Sequence, residues 1–238
     1  QQTDCNITDT VQIMSGDIQR KAHDEANAAL VQRLCELSGP VIDWLCVRHH
    51  LNLTLVEGFL YPGHSVPRMH APPSRAGADL MADLSRAVAV ADIPVMTQAH
   101  VTDLYADTHG GVTGTRIERP DGGVEYIGCE VLILACNGFG GNADMVQTHI
   151  PDMADALYFG HQGNQGDAIV WGQALGAETR HLGSYQGHGS VAQPHGILIS
   201  WALMMQGGLQ INCDGKRFSN EHQGYSEQAR RVIAQPGG

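Results

Sequence analysis

The most pronounced hydrophobic pattern in the chain is a run of five apolar residues at 131–135, followed by glycines at 138, 140 and 141. A short apolar run between a polar residue and a glycine cluster predicts a strand that is buried on both faces. Asn142 is a suitable N-cap for a helix after the turn. Strand, glycine turn and helix together are typical of sites that place backbone amides beside a phosphate. Gly-x-Gly-Gly alone is not the dinucleotide fingerprint, so a purely structural turn remains equally open.

Apolar residues recur at helical spacing in six other stretches. We predict helices over residues 17–38, 41–48, 74–91, 143–149, 168–175 and 226–234. Asn27 is expected to interrupt the first helix and Gly39 to end it, with Pro40 opening the next. Ser74 is the predicted cap of the third.

Alternating apolar and polar residues predict the strands, which concentrate in the middle of the chain. We expect strands over 51–60, 95–97, 100–105, 112–118 and 124–127, and a hairpin that joins 209–212 to 217–218. Gly-Gly and Pro-Asp-Gly-Gly turns separate the strands of 100–127, and Asp214-Gly215 marks the hairpin. The middle strands therefore form a predicted three-stranded meander directly before residues 131–135.

Composition and charge narrow the class of protein. The chain has 238 residues, of which 42% are hydrophobic and 16% charged, as in a globular protein of one large or two modest domains. Its formal net charge of -11 argues against nucleic acid or an anionic membrane surface as the main partner. No apolar run approaches the roughly 20 residues of a membrane span, and the first residues do not show the basic-then-apolar pattern expected of a signal segment.

The cysteines and histidines raise the questions of disulfide bonds and of a metal site. The six cysteines include no CxxC pair, which predicts reduced thiols and a cytoplasmic location. Thirteen histidines raise the question of a metal, but HExxH is absent and no carboxylate or cysteine stands at a ligand-like spacing. We therefore expect no metal site, and a histidine–metal hydrolase is the last of three functional hypotheses.

Three motifs occur in order along the second half of the chain. The first ends in Ala135 and the glycine cluster, the second contains Gly166-Asp167, and the third runs from Gly215 to Glu221 as GKRFSNE. Together with the meander they resemble the FAD-dependent fumarate reductase/succinate dehydrogenase flavoprotein superfamily, including its 3-ketosteroid dehydrogenase branch. Cys136-Asn137 depart from the Thr-Gly of that family.

The resemblance implies a fold and a domain organisation. It implies an α/β fold with an α+β cap, in which residues 1–141 form part of a Rossmann-like FAD-binding domain with a β-meander. Residues 142–238 would form part of a capping, substrate-binding domain. The N-terminal GxGxxG unit and the C-terminal FAD segment of the family have no counterpart in the sequence. We therefore expect an internal fragment that binds FAD poorly or not at all on its own.

The resemblance also implies which residues contact FAD, the expected cofactor. Val101, in the meander, matches the position whose backbone meets the adenine. Ala135, Cys136 and Gly138 match the turn beside the dinucleotide, and Asp167 matches a position that contacts the flavin. Backbone contacts tolerate side-chain changes, so the departure at Cys136 is compatible with binding.

Tyr225 is the predicted catalytic residue. It stands four residues after Glu221, where fumarate reductases carry the arginine acid and 3-ketosteroid dehydrogenases a tyrosine. A phenol suits removal of a carbon-bound proton when a neighbouring charge or dipole favours its ionised form. Packing of a helix start onto the core is an equally open explanation for this tyrosine. Arg217 and Glu221 are predicted to form a structural ion pair.

Three further positions are predicted to bind substrate. His188 matches the histidine that binds a substrate carboxylate in fumarate reductases, and Ser200-Trp201 match their Thr-Glu pair. Trp201 removes the carboxylate of that pair and adds an apolar face. An aromatic wall suits a cyclic enone or ketone better than a small dicarboxylate. A loop role for His188 and a core role for Trp201 remain alternatives.

These observations predict an FAD-dependent oxidoreductase that transfers hydride between flavin and a C–C bond adjacent to a carbonyl or carboxylate. The partners would be a small-molecule substrate and an electron donor or acceptor that the sequence does not identify. The oligomeric state is likewise open. The second hypothesis is a non-catalytic, truncated flavoprotein module that folds and binds a partner or ligand without redox activity.

Overall fold

The computed structural model describes residues 2–58, 60–192 and 195–237, which fall into two compact units. The units are Gln1–Val95 and Met96–Gly238. This division follows contacts within the chain, and the functional boundary at residues 141/142 stays a prediction. None of the helices in the described ranges is both long enough and apolar enough to cross a membrane.

The first unit consists of three helices and a two-residue antiparallel ladder. Its elements are a 3-10 turn at Thr3–Cys5, α1 at Val11–Lys21, α2 at Ala28–Asp43, a π-helical turn at Trp44–Arg48, β1 at Thr54–Leu55, β2 at His70–Ala71 and α3 at Gly77–Val90. Thr10 and Asn27 cap α1 and α2 by accepting backbone N–H bonds. The buried apolar residues are Val31, Cys35, Leu51, Leu53 and Val56.

Buried charges fix the loop before β2 against α1. Arg68 pairs with Asp17 and with Asp9, each at 2.6 Å. Ser65 donates its backbone N–H and its hydroxyl to Asp17 at 2.8 and 2.7 Å. Burial would raise the pKa of Asp17, but the bonds from Ser65 and Arg68 outweigh it and hold that pKa well below its usual range. The loop is therefore held to α1 by a network that is strongest when Asp17 is ionised.

Several predicted boundaries in this unit are wrong. The helix does not end at Gly39, because α2 continues through Pro40 to Asp43 and the N–H of Trp44 still bonds to the Pro40 carbonyl. Proline removes only its own N–H, so the following turns can form. The helix predicted from Ser74 begins at Gly77. The strand over 51–60 is reduced to β1, and Phe59, within that prediction, lies outside the described residues.

The second unit begins with the predicted meander. Strands β3 at His100–Ala106, β4 at Val112–Glu118 and β5 at Val124–Gly128 form an antiparallel sheet in the order β3-β4-β5. Its register pairs Val101 with Ile117 and Thr115 with Ile127. Residues 95–97, predicted as a further strand, are not in a strand.

Short elements follow the meander. They are α4 at Ala143–His149, a 3-10 turn at Pro151–Met153, α5 at Asp167–Ala174, β6 at Val191–Ala192, β7 at Ile197–Leu198, α6 at Ala202–Met205, a 3-10 turn at Glu221–Gln223 and α7 at Tyr225–Ile233. The predicted α4 is confirmed, with Asn142 as its cap. The β6/β7 ladder and α6 were not predicted. The predicted hairpin at Asp214-Gly215 is reduced to one bridge, between Ile211 and Arg217.

The prediction of a doubly buried strand at 131–135 is wrong in this structure. Across the described residues, no strand pairs with this segment, and Val131 and Ile133 are 78% and 83% exposed. The chain leaves the meander after Cys129, whose N–H makes a last bond to the Thr113 carbonyl. A strand buried on both faces needs neighbours that pair with it and cover it, and the described residues supply neither.

Candidate functional site

Two glycine-containing loops meet after the exposed segment. The N–H of Gly166 donates to the Gly138 carbonyl at 3.1 Å, and the N–H of Gly141 donates to the Asn164 carbonyl at 2.9 Å. Glycine is required at both donors: a Cβ on Gly141 would lie 2.6 Å from the Gln162 carbonyl oxygen, and Gly166 has φ +87°. The structure therefore brings the predicted cofactor residues Gly138 and Asp167 close together, since Asp167 follows Gly166 directly.

The turn before Gly138 has room for a ligand. Asn137 adopts φ +66°, and its side-chain oxygen accepts the Gly138 N–H at 3.0 Å. Asparagine tolerates this left-handed conformation better than most residues, which explains how it can stand in place of glycine. Ala135 and Cys136 are exposed, and a Cβ on Gly138 would meet nothing within 4 Å. These features fit close approach of a dinucleotide to the backbone.

Val101 lies apart from this turn in sequence, on β3 of the meander. Its side chain is half-buried and the residue stands opposite Ile117 on β4. Its contact with an adenine stays a prediction.

Three predicted site residues form an aromatic cluster, which we define as His188, Trp201 and Tyr225. The ring of His188 stacks on Tyr225 at a centroid distance of 5.3 Å and an angle of 22°. Trp201 meets His188 edge-on at 5.8 Å and Tyr225 at 6.4 Å. The sequence spacing between these residues gives no direct sign of such contact, so the juxtaposition is a result of the fold.

Two elements position the aromatic cluster. The β6/β7 ladder is extended by a bond from the Ile199 N–H to the Ser190 carbonyl. Ile199 and Ser190 stand two residues from Trp201 and His188, respectively. Tyr225 is the first residue of α7 and follows Gly224, which has φ +117°. The Gln186 side-chain amide donates to the Tyr225 hydroxyl oxygen. The phenol is therefore held by the segment that carries His188.

A buried polar network supports the cluster. Gln228 and Glu221 are each 1% exposed. The Gln228 amide donates to the Gln210 side-chain oxygen at 2.7 Å, and Gln210 donates to the Gly189 carbonyl at 2.6 Å. Gly189 lies against Gln228 so closely that a Cβ would be 2.9 Å from the Gln228 Cγ. The backbone beside His188 is thus pinned onto α7.

Glu221 fixes the other end of this network. Arg217 donates to its carboxylate at 2.6 Å, and the Gln210 N–H donates to it at 2.9 Å. The Arg217 bond, with help from Gln210, overcomes burial and lowers the pKa of Glu221 to about 2. This geometry agrees with the structural ion pair predicted for Arg217 and Glu221.

The three predicted substrate-binding residues differ in their surroundings. Burial lowers the pKa of His188, with a small opposing effect from the Ser190 backbone, so its imidazole is neutral at pH 7. Trp201 is 4% exposed. Ser200 is exposed, and its hydroxyl accepts the Ala202 N–H at 3.3 Å at the start of α6. The structure therefore brings His188 and Trp201 into the cluster and leaves the Ser200 side chain as a local cap.

Sequence reasoning missed Gln186 and Ser190. Each is two residues from His188, and in an extended segment residues two apart lie on the same face. The two-residue spacing from His188 was the sequence signal that could have identified them. Buried polar atoms without a hydrogen-bond partner occur here as well: the Ser190 Oγ, the Trp201 Nε1 and the His188 Nδ1.

No group of three or more histidine, cysteine or acidic side chains is arranged to hold a metal ion within the ranges that the structure describes. The thirteen histidines are therefore considered singly, and only His188 enters the aromatic cluster.

Proteins of known function resemble this chain in sequence and in fold. Residues 3–238 match the family described as FAD binding domain. The chain is 27% identical over 232 residues to an NADH:fumarate oxidoreductase of Klebsiella pneumoniae (strain 342), an alignment that covers 97% of the chain and 25% of that enzyme.

Solved structures show the same fold. The open conformation of a flavocytochrome c3 fumarate reductase superposes with a TM-score of 0.84 at 25% identity, over 99% of this chain and 42% of that one. A 3-ketosteroid-delta4-(5alpha)-dehydrogenase from Rhodococcus jostii RHA1 superposes with a TM-score of 0.75 at 19% identity, over 95% of this chain and 51% of that one. The chain thus spans about half or less of the length of these relatives, which combine helices and strands as it does.

Proposed function

Because the chain belongs to the FAD binding domain family, whose cofactor is FAD, we propose that it serves an FAD-dependent oxidoreductase. The proposed reaction is hydride transfer between flavin and a C–C bond adjacent to a carbonyl or carboxylate. In this proposal residues 1–141 belong to a Rossmann-like FAD domain and residues 142–238 to a substrate-capping domain. A cytoplasmic location also stays a proposal.

The residues proposed to hold FAD are Ala135, Cys136, Gly138 and Asp167, together with Val101 from the meander. The open backbone at Gly138 and the adjoining Gly166-Asp167 loop support the first four. Flavin supplies the acceptor or donor of the hydride. The chain itself must orient the substrate and move a proton at the neighbouring carbon.

The observation that carries the proposal is the contact of Tyr225 with His188 and Trp201. Gln186 holds the phenol oxygen in place by an N–H bond. The start of α7 adds the positive end of a helix dipole at the same residue. Tyr225 is therefore proposed as the group that takes or gives the substrate proton, with the neutral His188 and Trp201 forming the wall against which the substrate lies.

The test is Tyr225→Phe in the flavin-loaded full-length protein, which removes the proton-transfer oxygen and leaves the ring. Turnover should fall by roughly 10² or more, as for loss of a general acid–base group. Bound flavin, read from its visible band near ~450 nm, should be unchanged. Tyr126→Phe is the matched control, since Tyr126 lies exposed on β5 and should leave turnover intact. Equal turnover in wild type and Tyr225→Phe would remove Tyr225 from the mechanism.

A second candidate is a non-catalytic module that binds a ligand or partner without redox activity. The observation that favours it is the coverage, since the chain aligns with 25% of the Klebsiella enzyme and 42% of the flavocytochrome chain. The full-length protein, purified with FAD and then freed of unbound cofactor, distinguishes the two. A retained flavin band that bleaches on reduction argues for the oxidoreductase, and a colourless protein argues for the module.

A further inference from the structure

The ring of Tyr158 packs directly against the backbone of two glycines. A Cβ on Gly140 would lie 2.8 Å from the Tyr158 Cζ, and a Cβ on Gly160 would lie 2.5 Å from the same atom. Both distances are shorter than real side chains tolerate, so the ring fills the space that a side chain at either position would need. Gly140 belongs to the turn that contains Gly138, and Gly160 begins the loop that leads to Gly166. Tyr158 therefore contacts both of the segments that are proposed to hold FAD.

The hydroxyl of Tyr158 reaches further along the same loop. The Asn164 side-chain amide donates to the Tyr158 oxygen at 2.6 Å, and the Asn164 backbone carbonyl accepts the Gly141 N–H at 2.9 Å. Tyr158 and Asn164 are both half-buried, so their bond is partly shielded from water. One residue of the loop thus bonds to the tyrosine and to the turn at the same time.

Other contacts between the turn and the loop are single hydrogen bonds. The Gln165 side-chain amide donates to the Gly141 carbonyl, and the Asn142 side-chain amide donates to the Gln165 carbonyl, each at 3.0 Å. Gln165 is exposed, so water competes for both of these bonds. An aromatic ring packed against backbone is rigid and nearly incompressible. The ring of Tyr158 therefore fixes the spacing of the two segments more closely than these bonds do.

We propose that Tyr158 is a positioning residue for FAD, which fixes the turn at Gly138 relative to the loop that ends at Asp167. This inference rests on the proposed function, in which Gly138 and Asp167 hold the cofactor. Tyr158 acts through Gly140 and Asn164, and no contact of its own with FAD is part of the proposal. A site that already has its binding geometry binds more tightly, because less conformational entropy is lost when the ligand arrives. The ring supplies this order, and the hydroxyl adds one hydrogen bond.

Titration of FAD into the full-length apoprotein, followed by flavin fluorescence, separates the two parts of the side chain. Tyr158→Ala removes the ring and the hydroxyl, and should weaken FAD binding by about tenfold or more. Tyr158→Phe keeps the ring and loses only the bond to Asn164, so its dissociation constant should stay within about threefold of the wild-type value. Tyr158→Leu keeps an apolar side chain without the flat ring. It should fall between the two, and it replaces Tyr158→Ala if that variant does not fold.

Hydrogen exchange of the apoprotein, followed by mass spectrometry, measures the order of the turn and the loop without FAD. Tyr158→Ala should speed exchange in the peptides that contain Gly141 and Gly166, whose N–H groups join the two segments, and Tyr158→Phe should not. Met204→Ala is the control for a general loss of stability, because Met204 is buried in α6, outside both segments. It should unfold at lower urea concentration and leave both the FAD affinity and the exchange in these peptides unchanged.

The outcomes separate this inference from the proposed function. An FAD affinity of Tyr158→Ala equal to that of wild type overturns the inference, as does weaker binding without faster exchange in the two segments. An equal loss of affinity in Tyr158→Phe or in Met204→Ala overturns it as well. If the wild-type protein binds no FAD, the proposed function fails and the inference with it. If FAD binds as expected but no turnover occurs, only the proposed redox function fails.

Discussion

Replacing Glu221 by glutamine should destabilise the second unit in a pH-dependent manner. The carboxylate is buried, and Arg217 with the Gln210 N–H lowers its pKa from 4.5 to about 2. At about 1.36 kcal/mol per pH unit, this difference corresponds to about 3 kcal/mol of stability at pH 7. A lowered folded-state pKa means that the contribution is complete above pH 4.5 and is lost as the pH falls towards 2. About 2 kcal/mol of it should be gone at pH 3.

Urea unfolding measures this contribution at pH 7 and at pH 3. The experiment uses a Trp44→Phe background, so that the fluorescence of Trp171 and Trp201 reports on the second unit. Glu221→Gln should lose about 3 kcal/mol at pH 7 and only about 1 kcal/mol at pH 3. Glu178→Gln is the control, because its pair with Arg180 is 72% and 71% exposed and should contribute less than about 1 kcal/mol. A Glu221→Gln deficit that is the same at both pH values would refute the linkage.

Two other substitutions test packing and buried charge. Gly189→Ala places a Cβ 3.0 Å from the Gln228 backbone carbon, so it should cost about 1–3 kcal/mol in urea unfolding. Gly172→Ala, inside α5 and free of close contacts, should be neutral or stabilising by up to about 1 kcal/mol, and an equal effect of both would contradict the packing argument. Asp17→Asn leaves Arg68 without one of its buried partners and should lower the free energy of unfolding by about 3 kcal/mol or more. The measurement is urea unfolding followed by the fluorescence of the tryptophan in the first unit. A loss below about 1 kcal/mol would show that the pair is not coupled to folding.

The elements that could be predicted from the sequence are those whose signals are local. The meander follows from alternation and from glycine turns that lie between its own strands. Asn27 and Asn142 mark helix starts because the cap bonds reach only three residues ahead. The segment 131–135 could not be placed in this way, because its burial depends on neighbours elsewhere in space. The run of apolar residues predicts a strand with neighbours on both faces, but the described chain contains no such neighbours.

In the candidate site, too, local signals could be read from the sequence and contacts between distant residues could not. The family resemblance pointed to Tyr225, four residues after Glu221 of the GKRFSNE motif, and to His188 and Trp201. Their contact could not be read from the sequence, because it joins residues that lie far apart along the chain. Gln186 bonds to Tyr225 across 39 residues, and no periodic pattern encodes that pairing. The missed residues are therefore those whose role arises only after the chain has folded.

The exposed segment 131–135 also affects how copies of the chain behave towards one another. It is rich in valine, isoleucine and leucine and contains neither proline nor charge, a composition prone to intermolecular strand pairing. The net charge of -11 opposes such contact by mutual repulsion. Salt shortens the reach of that repulsion to about 10 Å at 0.1 M and about 3 Å at 1 M. Self-association through this segment is therefore favoured by high ionic strength, and dilute, low-salt conditions keep the chains apart.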